Sequence, residues 1–242
     1  PKQNPNIINK QDPTPLLYTK GSHTYRLYCL IHAFVYTENM LNTKKGAKKI
    51  FKIFLMNLNN IDISKLPADI RRQYKQLQVL HAEKKIQNKA KNDFLSFVKC
   101  MWPDFIEGSH HRHIADKFNK LSTGEINRLI INMPPRHTKS EFASYLLPAW
   151  MVGRDPKLKI IQATHTGELA VRFGRKAKNL IDSEDYGKIF KTRLQEDSKA
   201  AGRWETAQGG EYFAAGVGGA ITGRGADLLI IDDPHSEQDA MS

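Results

Sequence analysis

Apolar and polar positions follow different periods along this chain, and the changes of period mark out its elements. Residues 1–24 show no apolar period. They are rich in Asn, Gln, Pro and Lys, a composition expected of disordered or loosely held chain. Two apolar stretches follow, 25–35 and 50–58, separated by the basic turn Thr43-Lys44-Lys45-Gly46; either suits a helix or a strand. From residue 66 to about 100 the spacing becomes helical. Pro67 stands where a first-turn proline belongs, and Ile70, Tyr74, Leu77, Leu80 and His81 recur every three or four residues on one face. Asn92-Asp93 caps a second predicted helix carrying Phe94, Leu95, Phe97 and Val98, which Met101-Trp102-Pro103 breaks.

Past residue 120 the pattern alternates between continuous apolar runs and amphipathic helices. Leu129, Ile130 and Ile131 form an unbroken run, predicting over 128–133 a parallel strand buried on both faces. A helix is expected over 141–151, kinked at Pro148, whose ring removes a helical donor. KLKIIQA (157–163) reads as a second buried strand entered through the Asp155-Pro156 turn. Residues 168–181 place Leu169, Phe173, Ala177 and Leu180 on one stripe and Arg172, Arg175, Lys176 and Lys178 elsewhere. That basic surface is read as a solvated face in preference to a DNA-facing one. Residues 203–207 and 211–215 form a predicted hairpin at Gly209-Gly210, followed by five glycines in GVGGAITGRG (216–225) and the apolar run LLII ending in Asp232-Asp233. Strands alternating with helices make the predicted class α/β with a mainly parallel sheet. The organisation expected is a basic N-terminal region (1–60), a helical lead-in (61–122) and a core (123–242).

Charge changes this picture mainly at the N-terminus. The formal net charge is +12; residues 1–100 hold eighteen Lys/Arg against six Asp/Glu, and residues 101–242 hold nineteen of each. A basic arm beside a neutral body suits either a nucleic-acid partner or a solvated lysine-rich tail. Two distant cysteines, Cys29 and Cys100, give no disulfide or metal-ligand spacing and fit a reducing compartment. No apolar run approaches the roughly eighteen residues of a membrane span. The missing initiator Met suggests an excerpt of a longer protein. In Gly108-Ser-His-His-Arg-His113 three histidines lie within four residues. With no thiolates or helical His partner nearby, they read as a polar turn entering a helix over 114–121 rather than as a zinc site. A contact to adenine from His110 or His111 is a weaker option.

The chemistry concentrates in two stretches. RLIINMPPRHTKSE (128–141) is an apolar run, a proline-stiffened turn and a Lys-Ser pair opening a helix, the layout of a phosphate-binding P-loop. The first amides of a helix lack internal partners and attract anions. Pro134 and Pro135 have no N–H, so the donors must come from Arg136 through Ser140. The expected ATP-binding set is Pro135, Arg136, His137, Thr138, Lys139, Ser140 and Glu141, with Lys139 on the terminal phosphates and Ser140 on Mg2+. DLLIIDD (227–233) is of Walker B type. Asp232 supports Mg2+ at the end of a buried strand, and Asp233 orients and helps deprotonate the attacking water. Neighbouring residues on a strand point to opposite sides, and Pro234 is expected to hold Asp233 extended.

With both motifs in place, residues from about 93 to 242 resemble the ATPase region of the large terminase subunit of tailed bacteriophages. The resemblance rests on DFLSFVKCMWPDF, GSHHRHI, RLIINMPPRHTKSE, ATHTGELAVRFGRKAKNLI and GRWETAQGGEYFAAGVGGAITGRGADLLIIDDPH. Residues 1–60 take no part in it. It implies a RecA-like P-loop NTPase fold, Mg2+-dependent ATP hydrolysis and translocation of double-stranded DNA into a procapsid. The implied partners are the portal protein, a small terminase subunit and identical subunits in a ring. The implied location is the host cytoplasm at the portal during packaging. It further implies that Arg136 acts as an arginine finger within its own subunit, and that Arg224 reaches a neighbour; otherwise Arg224 is a loop residue held by a carboxylate such as Asp227.

Two departures qualify the resemblance. In GxxxxGK[ST] glycines fall at 133 and 138, where this chain has Met133 and Thr138, and a β-branched residue is costly at positive φ. The sequence also ends nine residues after Asp233, before the coupling motif and nuclease domain that such subunits carry. No nuclease activity is therefore expected of this chain, the sheet is expected to be incomplete on its C-terminal side, and weak turnover is expected of the fragment alone. The competing readings are another DNA-dependent P-loop ATPase, such as a helicase, and a nucleotide-binding module with little hydrolysis.

Overall fold

A computed structural model describes residues 68–198, 200–219, 221 and 223–235. The readings of residues 1–60 and of Pro67 lie outside them. The chain divides into two units, Pro1–Leu80 and His81–Ser242.

The first described helix, α1 (Ala68–Asn92), covers the expected span but buries less. Tyr74 is buried and Leu77 half-buried, whereas Leu80 is 51% exposed and His81 is exposed, so the expected stripe ends at Leu77. Beyond it Val79, Leu80 and Ile86 stay exposed among Lys, Gln and Glu, and Ala90 is the next buried residue.

Within His81–Ser242 the chain turns at Asp93 into α2 (Phe94–Met101). The Asp93 carboxylate accepts the Ser96 N–H at 2.9 Å and the Asn119 amide at 3.0 Å. An N-cap acceptor of this kind satisfies a donor that the helix cannot. Next, α3 (Ser109–Ser122) begins well before the expected position, so His110, His111 and His113 lie on its first turns and not in a preceding loop. The reason is local: the His111 ring accepts the Gly108 N–H at 2.9 Å, a donor at the helix start that has no partner within the helix.

A π-helical segment, π1 (Glu141–Leu146), continues directly into α4 (Leu147–Arg154). Pro148 sits in the first turn of α4, and the Leu147 N–H reaches back five residues to the Phe142 carbonyl. The irregularity expected at Pro148 thus takes the form of a widened turn ahead of the proline. Then come β1 (Lys159–Thr164), α5 (Gly167–Ile181), α6 (Glu184–Ile189), β2 (Arg203–Glu205), β3 (Glu211–Gly216) and β4 (Leu228–Asp232).

The four described strands lie in the order β2-β3-β1-β4. β1 pairs in parallel with both β3 and β4, and β2 closes the other side as an antiparallel hairpin partner of β3. The class is therefore α/β, with a mostly parallel sheet flanked by helices. Aromatic rings knit helices to sheet. Phe94 meets Phe118, Phe142 and Trp150 edge-on at 5.0, 5.4 and 5.5 Å, so α2, α3 and the segment after residue 140 share one core. Trp204 stacks on Tyr212 at 4.8 Å, and its N–H donates to the Gly174 carbonyl at 3.1 Å. Gly174 is required there, because a Cβ would lie 2.6 Å from the Ala201 carbonyl oxygen and 2.7 Å from the Tyr212 ring.

One expected strand is absent. Residues 128–133 carry no ladder, and among the described residues β4 pairs only with β1. Leu129 and Ile131 pack against the core, but Ile130 is 86% exposed. An apolar run supplies side chains to bury; a strand also needs its N–H and C=O groups paired, and residues 128–133 form no ladder with the unpaired edge of β4 or with any other described strand. The far face of β4 is likewise open, with Leu229 and Ile231 exposed by 56% and 59%.

Candidate active site

At the C-terminal ends of the parallel strands the loop before π1 meets the end of β4. Met133 through Glu141 and Asp233 line a cavity of 590 Å³, within the usual range of ligand pockets of roughly 300–1,000 Å³. All seven residues of the expected ATP-binding set are on that lining. Among the described residues the N–H groups of Arg136 through Thr138 make no turn or loop hydrogen bond, while the Phe142 N–H starts the helical ladder on the Thr138 carbonyl at 2.9 Å. A helix start with unpartnered amides and a lysine beside it favours negative charge.

The backbone reaches this shape through left-handed residues. Arg136 and Thr138 have φ of 63° and 65°, and neither is glycine. Thr138 therefore bears the conformational cost anticipated for the residue in the glycine position. Asp233 departs from expectation. Its φ is 42°, so Pro234 does not hold it extended; the chain leaves β4 in a left-handed turn, with the Asp233 carbonyl accepting the His165 N–H at 3.2 Å.

That turn brings both acids to one lysine instead of sending them to opposite sides. The Lys139 ammonium bonds the Asp233 carboxylate and lies 3.6 Å from Asp232 Oδ1. Burial works against charge on Lys139, but the bond to Asp233 and the fields of Asp233 and Asp232 outweigh it and hold its pKa above the usual lysine value. The two carboxylates differ in surroundings. Asp232 is buried and its Oδ2 accepts the hydroxyl of fully buried Ser144 at 2.8 Å; the Asp233 side chain is 69% exposed.

Ser144 was not anticipated from the motifs. Its signal is its position one helical turn after Ser140, a small hydroxyl within the otherwise apolar FASYLL. Lys176 was likewise read only as part of a solvated face, yet its ammonium binds the Glu141 carboxylate at 2.7 Å and sits 4.6 Å from the Tyr145 ring centroid, tying α5 to the start of π1. His111 is buried, with Nε2 at 2.7 Å from Thr138 Oγ1, so it faces the loop and not the cavity. Arg136 is exposed on the cavity lining.

Arg224 is elsewhere. Its guanidinium lies 3.9 Å from the Phe213 ring centroid and bonds Glu211 at 3.1 Å. Glu211 opens β3, whose far end, Gly216, is level with Thr164 and Asp232. Five residues of strand separate the two ends, about 17 Å. The carboxylate expected to hold it, Asp227, instead accepts the Lys159 N–H at 2.8 Å. Among the described residues no group of three or more His, Cys, Asp or Glu side chains is placed to hold a metal by itself, and no helix is long and apolar enough to cross a membrane. Compared with protein-family models, curated proteins and solved structures, the chain matches none.

Proposed function

We propose that this chain is a Mg2+-dependent ATPase, the RecA-like motor part of a DNA-packaging terminase of the tailed-bacteriophage type. One observation carries the nucleotide reading: Lys139 and Asp233, 94 residues apart, join across a cavity lined by a helix-opening loop. The packaging role rests on the sequence resemblance, in which the two motifs keep their order and surroundings.

The side chains present suit Mg2+ and a polyphosphate. Hydroxyl and carboxylate oxygens are the hard donors that Mg2+ takes, and it commonly uses one or two of them besides phosphate and water, so a three-acid cage is unnecessary. Ser140 and Asp232 would hold the ion, which when bound neutralises charge on the phosphates. Ser144 fixes one Asp232 oxygen, leaving Oδ1 on the Lys139 side. Lys139 is poised to exchange its carboxylate partners for phosphate oxygens. Exposed Asp233 orients an attacking water and accepts its proton. Arg136, on the cavity lining, offers a guanidinium to charge developing on the transferring phosphoryl group. Arg224 serves no such role within its own subunit; as a finger it acts on a neighbour in a ring. The working assembly comprises that ring, double-stranded DNA, the portal and a small terminase subunit, at the procapsid in the host cytoplasm.

The reading predicts ATP turnover, stimulated by DNA in a full-length protein and abolished by Lys139→Ala and by Asp233→Ala. Turnover insensitive to both substitutions overturns it. A second reading, nucleotide binding with little hydrolysis, is favoured by the left-handed Thr138 and predicts ATP binding without turnover under the same conditions.

A further inference from the structure

The residue that would be glycine in the loop is a threonine at φ 65°, in a region costly for a β-branched side chain. Its surroundings show what holds it. The Gly108 N–H donates to His111 Nδ1 at 2.9 Å, so Nδ1 carries no proton and the neutral ring carries its proton on Nε2. Nε2 lies 2.7 Å from Thr138 Oγ1 and therefore donates to it, and the Thr138 hydroxyl donates onward to the His137 carbonyl at 2.6 Å. Three hydrogen bonds thus run in one direction from the first turn of α3 into the loop. The His111 ring that relays them is 5% exposed and fixed between Phe105 and Phe142, at 4.8 and 5.0 Å between centroids. Glycine at position 138 would offer no oxygen to this relay.

We propose that His111 is a positioning residue of the nucleotide site: its Nε2–H anchors the Thr138 hydroxyl and so holds the left-handed turn that presents the loop amides. His111 itself touches no phosphate. This rests on the nucleotide reading of the loop and adds to it the device by which threonine serves in a glycine position.

The test is Mg-ATP affinity, by calorimetry, of the 242-residue chain and its His111→Ala, Thr138→Gly and doubly substituted forms. Losing one buried hydrogen bond should weaken binding roughly five- to tenfold with threonine in place, but less than twofold in the Thr138→Gly background. His111→Gln, which keeps a donor near the Nε2 position, should recover a large part of the loss. Equal losses in the two backgrounds overturn the proposal, since a merely structural histidine would act in both. A nucleotide-free readout is the 15N spectrum of the His111 side chain. The Nε2–H tautomer is expected, with its signal shifted by Thr138→Gly. An Nδ1–H tautomer, or no response to Thr138→Gly, overturns the anchor whether or not ATP binds. The expected spectrum in a chain that binds no ATP instead overturns the nucleotide reading, and the positioning role with it.

Discussion

Replacing Ser144 with alanine removes one oxygen from the least exposed part of the site, and the structure allows its cost to be worked out. Ser144 is fully buried and donates at 2.8 Å to Asp232, a carboxylate only 6% exposed. A hydrogen bond to a charged group contributes about 1.5–3 kcal/mol net. Deleting a hydroxyl leaves almost no cavity, and alanine returns about 0.5 kcal/mol through its higher helix propensity. The net loss is about 1–2.5 kcal/mol; for a chain of this size that lowers Tm by about 2–10 °C. Lys139 remains 3.6 Å from the other Asp232 oxygen, so the acid keeps one partner and the fold survives. Thermal unfolding followed by circular dichroism measures the shift, and urea titration with an unchanged m-value confirms that the folded state is intact. Mg-ATP affinity should fall with it, because a loosened Asp232 no longer presents a fixed oxygen. A Tm within 1 °C of the parent would refute the claim that Ser144 holds this carboxylate.

Other outcomes follow from the same geometry. Thr138→Gly relieves backbone strain of about 1–3 kcal/mol while giving up the His111 bond, and should raise the ATPase rate roughly two- to fivefold; an unchanged rate at saturating ATP would show that the loop accommodates threonine. Asp93→Ala should cost about 1–2 kcal/mol through loss of the α2 cap. Burial pushes the Asp93 carboxyl up, but its bonds to Ser96 and Asn119 outweigh this and lower its pKa. Its contribution is thus complete above the ordinary carboxylate value and fades as pH falls through the lower folded one, so parent and variant should converge in acid; a constant gap in urea midpoints across that range argues against it. For His111, burial first and then the nearby charge of His110 lower the pKa, Glu107 opposes them, and His137 adds to the lowering. The unfolded chain takes up this proton near pH 6.5 and the folded chain only below it, so stability should decline as pH falls through about 6.5. His111→Gln should flatten part of that decline between pH 7.5 and 5.5, and an identical slope in the variant would count against the assignment.

Elements that bury their own side chains locally could be read from the sequence. The stripe of α5, the hairpin at Gly209-Gly210 and the cap at Asp93 all appear near their expected places, because each depends on residues close in sequence. The expected strand over 128–133 fails for the opposite reason: its apolar run is real, but pairing depends on a neighbouring backbone that local sequence does not encode. The motifs picked out the residues that line the cavity, and Lys139 with the two acids it meets, because they single out residue types at fixed spacing. They missed Ser144, Lys176 and the His111 anchor, whose partners lie 88, 35 and 27 residues away. Asp233 illustrates a rule overridden: a residue before proline prefers extended backbone, yet the bond from the His165 N–H and the attraction of Lys139 accompany a left-handed turn there.

The central claim is that the loop over residues 133–141 and the acids ending β4 form one Mg-ATP site. Calorimetric titration of the chain with ATP, with and without Mg2+, and of its Lys139→Ala form, tests this most directly. The account predicts binding strengthened by Mg2+ and weakened at least tenfold by Lys139→Ala, about the loss expected for one charge-assisted contact. No binding at millimolar ATP, or equal binding by a folded Lys139→Ala chain, would contradict it.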